Sequence, residues 1–146
     1  MRFARPWLWI GALLGAGACA VAPVAPGSAG SAAAPPPSLA GSRWVGVVEG
    51  VSDARVLPRL EFAPGGRLTG YTGCNMLSGT WREEDGQARF GMVAATKRMC
   101  LGPGGDIEKR MLAVLGDESR IARAGSRLVV TAPGGERFEF VPAAAA

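Results

Sequence analysis

Few side chains in this 146-residue chain can do chemistry, and the first fact about them is an absence: there is no histidine. That removes the commonest general base, the Ser-His and Cys-His nucleophile pairs, and imidazole metal sites together. Three cysteines remain, Cys19, Cys74 and Cys100. The last two cannot complete a four-ligand zinc site by themselves. As reactive thiols they would need a thiolate-favouring surround, of which Lys97 and Arg98 beside Cys100 are only a hint. Asn75, directly after Cys74, could present its amide to a ligand. The stronger expectation is that it stabilises its own turn, because asparagine tolerates left-handed backbone and bonds nearby main chain. Glu108 could act as a general acid only with a second carboxylate at reacting distance. At the start of a predicted helix, it is read instead as answering the positive end of the helix dipole. The glycine pairs Gly65-Gly66 and Gly134-Gly135 are followed by no Lys-Ser/Thr and open onto no helix, so they are not phosphate loops. No nucleophile, base and orienting group can be assembled. The expectation is a non-enzymatic protein with no catalytic, cofactor-binding or metal-binding residues.

The elements that must carry these side chains begin after an export signal. Arg2 and Arg5 give a positive start, Trp7 to Leu14 is a compact apolar run, and residues 15–20 are small. This is the pattern of a secretory signal peptide over residues 1–20. A transmembrane helix is the competing reading, and the continuous apolar run is too short for it. Ala16-Gly17-Ala18-Cys19 resembles a lipobox, with Ala16 where leucine is usual, so Cys19 is the expected lipid-attachment site. Ordinary signal peptidase cutting after Ala18 or Ala20 is the alternative. Residues 21–38 form an uncharged Ala/Pro/Ser/Gly tether, a composition that stays extended. A tether is useful between an anchor and a domain, which favours a lipoprotein of the cell envelope, at the outer membrane or facing the periplasm, over a soluble periplasmic or secreted protein.

From Leu39 the texture changes. Arg59-Leu60-Glu61-Phe62 and Arg67-Leu68-Thr69-Gly70-Tyr71 alternate in polarity around Ala63-Pro64-Gly65-Gly66, which predicts a β-hairpin. The same design recurs around Ala132-Pro133-Gly134-Gly135, and a third hairpin is predicted from Gly79 to Phe90. One segment, about 106–115, has helical spacing, with Ile107, Met111, Leu112 and Leu115 on one side. Asp106 is expected to cap its start and Gly116 its end.

Five stretches in order resemble the META (HslJ-like) domain family over residues 39–142. Leu39-Ala40-Gly41-Ser42-Arg43-Trp44 looks like the family's opening. Gly73-Cys74-Asn75 with Gly79 and Trp81 resembles its Gly-Cys-Asn motif, with Trp81 where tyrosine is common. Thr96-Lys97-Arg98-Met99-Cys100 is similar to its Thr-x-x-x-Cys, Glu108 leads into its helix, and Leu128 to Phe140 resembles its closing hairpin. The resemblance implies an all-β fold, a small, partly open antiparallel β-barrel with one short helix, often exported or lipid-anchored. Some relatives are linked to heat shock, novobiocin tolerance or virulence, and the family brings no accepted catalytic residues. In such a barrel Trp44 and Trp81 would plug the interior, or line an apolar pocket if one end is open.

In an exported chain Cys74 and Cys100 suggest a structural disulfide; two buried free thiols, or a redox pair, are the alternatives. Cys19 is then the odd one, and lipidation would account for it. The net charge of +4 falls to +2 when Arg2 and Arg5 are set aside, leaving 14 basic against 12 acidic residues. These are scattered, without the clustered basic face that a nucleic-acid surface needs, so no nucleic acid is expected. The expected function is a tethered envelope protein that binds an apolar segment or lipid, or supports another envelope component under stress. The alternative is a small exported binding inhibitor, for example of a protease.

Overall fold

The structure, a computed structural model, describes residues 38–85 and 87–144. The expected signal segment, the Cys19 lipid site and all but the last residue of the 21–38 tether lie outside the described residues. Eight strands and one helix follow in the order β1 (Ser42–Gly46), β2 (Arg59–Phe62), β3 (Arg67–Tyr71), β4 (Met76–Glu84), β5 (Gln87–Ala95), α1 (Pro103–Val114), β6 (Arg120–Ala124), β7 (Arg127–Thr131) and β8 (Arg137–Pro142). Each strand pairs antiparallel with the next, and β8 returns to β1 with Val141 opposite Val45, so the sheet closes on itself. Closure removes both sheet edges without a long connection.

The partial opening expected of the barrel reduces to one seam. β5 and β6 share the single pair Ala88 and Ile121. The reason is local to β5. Gly79 faces Val93 and Trp81 faces Phe90, so β5 carries one extra residue where the register shifts. Such a bulge bends its strand, and the far half of β5 leaves the β6 side.

Alternation along the strands fills the interior. Leu60 and Phe62, Leu128 and Val130, and Phe138 and Phe140 all point inward and are buried. Phe62 meets Trp81 edge-on, with ring centroids 5.3 Å apart, and lies 6.4 Å from Phe90 in a stacked arrangement. Burying one such side chain contributes about 1.5–3 kcal/mol. All three predicted hairpins form, as β2–β3, β4–β5 and β7–β8. β6 was not anticipated. Its sequence Arg120-Ile121-Ala122-Arg123-Ala124 buries only Ile121, and one strong apolar residue leaves no alternation to detect.

The helix differs from its expected form in four respects. It starts at Pro103 rather than Asp106, because proline's fixed φ suits the first helical position. Gly102, at φ 73°, occupies the N-cap with no side-chain hydrogen bond, so Asp106 does not cap but sits in the first turn. The C-cap is Leu115, one residue before Gly116. Finally, the buried stripe is Gly104, Ile107, Met111 and Val114. Leu112 is exposed, because one residue beyond Met111 it is rotated about 100° around the helix axis; Leu115 is only partly buried.

The antiparallel registers assign each connection to an end of the barrel. The β3–β4 turn, the β5–α1 connection and α1 lie at one pole. The chain enters at the other. There Ser38 Oγ donates to Glu83 Oε2 at 2.6 Å, Leu39 N donates to Glu83 Oε1 at 2.9 Å, and Arg123 Nη2 donates to the Ser38 carbonyl at 3.2 Å. Leu39 then turns into the core. No helix among the described residues is long and apolar enough to cross a membrane.

Candidate functional site

Six of the singled-out residues converge at the α1 pole: Gly73, Cys74 and Asn75 in the β3–β4 turn, Thr96 and Cys100 after β5, and Glu108 in α1. The turn closes on itself first. Thr72 N donates to the Asn75 carbonyl at 2.9 Å, while Thr72 Oγ1 accepts from Asn75 N at 2.9 Å and Cys74 N at 3.3 Å. The Thr72 hydroxyl then donates to Glu108 Oε1 at 2.9 Å. Gly73, at φ 104°, lets the helix come down on the turn. A Cβ there would stand 2.8 Å from Ile107 Cγ2 and 2.9 Å from the Val56 carbonyl oxygen.

Asn75 is buried, and its side chain leaves its own turn. Oδ1 accepts from Arg98 N at 2.8 Å and from Thr96 Oγ1 at 2.9 Å. Nδ2 donates to the Arg98 carbonyl at 2.9 Å and to Glu108 Oε1 at 2.9 Å. An amide has two acceptor sites and two protons, so every one is used within the protein. Asn75 therefore ties three segments together. The turn-stabilising role expected of it is carried by its main chain, and nothing of its amide is left for a ligand.

Glu108 is in the second turn of α1 rather than the first, because the helix starts earlier than expected. Its carboxylate accepts from Thr72 and Asn75. These charge-assisted bonds are each worth about 1.5–3 kcal/mol, more than a dipole contact at a helix end. Cys74 and Cys100 form a disulfide with Cα atoms 6.0 Å apart, inside the span that a bridge requires. Arg98 Nη2 donates to the Cys74 carbonyl at 2.7 Å, so the loop beyond β5 is held by the bridge, by Asn75 and by its own arginine.

The other motif residues do not join this cluster. Trp81 is core, with Nε1 donating to the Ala63 carbonyl at 3.1 Å. Gly79 sits where a Cβ would strike the Met92 carbonyl across the β4–β5 pair. Trp44 is also core, with Nε1 bonded to Ser42 Oγ at 2.8 Å. It additionally borders a surface cavity of about 270 Å³ with Arg59, Tyr71 and Met76. A second cavity of about 260 Å³, among Tyr71, Cys74, Asn75, Met76, Thr96 and Arg98, begins at the shared Tyr71 and Met76.

Two members of the cluster escaped the sequence reading. Thr72 had a usable signal, since a threonine three residues before asparagine favours a side-chain-closed turn. Arg98, singled out in the sequence only as a cation beside Cys100, gave no signal of this role, in which its main chain bonds Asn75 and its side chain bonds the Cys74 carbonyl. Also unforeseen are large apolar side chains left in solvent at this pole: Met76, Met99 and Leu101 are 62%, 88% and 89% exposed. Among the described residues no cluster of three metal-ligating side chains occurs. Asp53 is held below the usual carboxylate range by hydrogen bonds from the Arg55 side chain and main chain, an exposed surface pair.

Comparison with known proteins agrees with this architecture. A solution NMR structure of a protein from Burkholderia xenovorans superimposes with a TM-score of 0.55 at 24% identity, covering 73% of this chain and 85% of that one. A second NMR structure gives a TM-score of 0.56 at 19% identity, covering 69% and 88%. At these identities the likeness shows the fold alone. No functionally curated protein matches the chain. The META domain model matches residues 37–145, which takes in the whole barrel and the motif cluster, and the chain belongs to the META domain family.

Proposed function

We propose that the chain is a non-catalytic binding module of the cell envelope, exported by residues 1–20, anchored through Cys19, and presented on the 21–38 tether to an apolar segment of an envelope component. The observation that carries the reading is the exposure of Met76, Met99 and Leu101 at the α1 pole, opposite the point where the chain enters the barrel at Ser38. Large apolar side chains held in solvent on a rigid frame mark an interaction surface rather than a core. The non-catalytic part of the reading is supported by the absence of histidine and by the full commitment of Asn75 to internal bonds.

Site-specific photo-crosslinking in the intact envelope tests this. A photoreactive side chain at position 99 or 101 of the full chain should give discrete adducts, and one at position 82, on the entry pole, should not. Equal labelling from both poles, or no discrete adduct from either, would overturn it.

A further inference from the structure

We propose that the connection spanning residues 96–101 is a substrate-like loop for the cleft of a serine endopeptidase with an apolar primary pocket, and that Met99 is the side chain entering that pocket. The inference rests on the binding-module reading and names its partner class.

The inner side of this segment is fixed at alternate residues. Thr96 Oγ1 bonds Asn75, the N–H and C=O of Arg98 are both taken by the Asn75 amide, and Cys100 is disulfide-bonded to Cys74. The segment is neither helical nor turned. Between these fixed points the N–H and C=O groups of Lys97, Met99 and Leu101 have no main-chain partner among the described residues. Met99 and Leu101 also stand almost wholly in solvent, at 88% and 89%.

An endopeptidase cleft asks for this arrangement. It pairs with the main chain of alternate substrate residues, as in strand addition, and takes one side chain into its primary pocket. A thioether side chain fits an apolar slot. Pre-organisation lowers the ordering cost of binding, and here the loop is ordered before the enzyme arrives. Cleavage would also be reversible. Attack of the enzyme's serine oxygen on the Met99 carbonyl breaks the Met99–Cys100 bond, and the serine proton passes through the enzyme's base to the new Cys100 amine. That amine stays bridged to Cys74, while Arg98 stays bonded to Asn75. The amine is thus held where it can attack the acyl group, re-form the bond and return the proton and the serine. A lipid surface is the poorer fit, because it would strand those N–H and C=O groups away from hydrogen-bond partners.

The test uses the full, oxidised chain against purified subtilisin-class and chymotrypsin-class endopeptidases, with a trypsin-class enzyme for comparison, following hydrolysis of chromogenic peptides. Competitive inhibition of the first two is expected. Met99→Gly should weaken it by about 100-fold, as loss of a buried anchor does. Met99→Arg should transfer inhibition to the trypsin-class enzyme; at 88% exposure neither change disturbs the fold. The proposal is overturned by a folded chain that inhibits none of these enzymes at about 10 μM, a concentration that would reveal even weak complexes. It is overturned equally by rapid, complete cleavage after Met99. Co-sedimentation with phosphatidylglycerol vesicles in place of inhibition would also reject it and assign the loop to a membrane. Discrete crosslinks from positions 99 and 101 would in each of these cases leave the binding-module reading standing.

Discussion

The carboxamide of Asn75 closes on both main-chain groups of Arg98, accepting from its N–H at 2.8 Å and donating to its C=O at 2.9 Å. A side chain in one turn thereby imitates a strand partner for a residue 23 positions away. The same amide donates to Glu108, so the loop after β5 and the helix that follows are indexed to a single buried group. Asn75→Ala leaves Glu108 with Thr72 alone and the N–H and C=O of Arg98 without their partner, and should cost about 3 kcal/mol in denaturant unfolding. Asn75→Asp, which sets a second carboxylate against Glu108, should cost more than alanine. A loss under about 1 kcal/mol for both would show that the network contributes little.

The disulfide acts on the same loop from the other side. It joins residues 26 apart in sequence, and closing a loop of that length stabilises by about 3.5 kcal/mol on the chain-entropy account. Peptide mapping of the unfolded, non-reduced protein should find neither Cys74 nor Cys100 alkylated. Cys74→Ala/Cys100→Ala should lose about that stability in a urea titration. Free alkylation of either cysteine in protein taken from the envelope would refute the bridge.

Glycine at position 73 serves two purposes that position 41 separates. Gly41, at φ 78°, has nothing within 4 Å of a built Cβ, whereas Gly73, at φ 104°, would meet Ile107 and Val56. Gly41→Ala should cost about 1 kcal/mol from backbone strain alone. Gly73→Ala should cost about 3 kcal/mol or more, because the helix must also lift from the turn. Equal thermal shifts for the two variants would remove the close approach as the reason for glycine at 73.

The helix register gives a sharper contrast. Met111→Ala opens a void beneath α1 and should cost about 3 kcal/mol. Leu112→Ala, next to it on the exposed side, should stay within about 0.5 kcal/mol. Comparable losses at both positions would return Leu112 to the core stripe.

The proposed leader and its processing can be checked by mass spectrometry. A lipidated chain should begin at Cys19 and carry acyl mass, and Cys19→Ser should abolish it. A mature N-terminus at Cys19 with no added mass, or one at Val21, would leave a simply secreted domain.

Much of the fold was legible in the residues because its signals are local. The period-two alternation around Ala63-Pro64-Gly65-Gly66 and Ala132-Pro133-Gly134-Gly135 forms hairpins wherever it occurs, since the turn sets the register and alternation sets the inward face. The motif residues from Gly73 to Glu108 and the pairing of Cys74 with Cys100 were visible as types in order. Tertiary structure alone decided what those residues do. Asn75 spends its amide on Arg98 and Glu108 because closure of the barrel carries three segments to one pole, an encounter that no spacing along the chain encodes. Leu112 misses the core because α1 packs with Ile107, Met111 and Val114 turned inward, which leaves the residue after Met111 about 100° away around the axis. β6 exists because β5 and β7 flank it, although Ile121 is its only buried side chain. Finally, Met99 and Leu101 read as ordinary apolar residues in sequence; their exposure follows from a loop whose inner side is fully bonded, leaving those side chains nowhere to turn but outward.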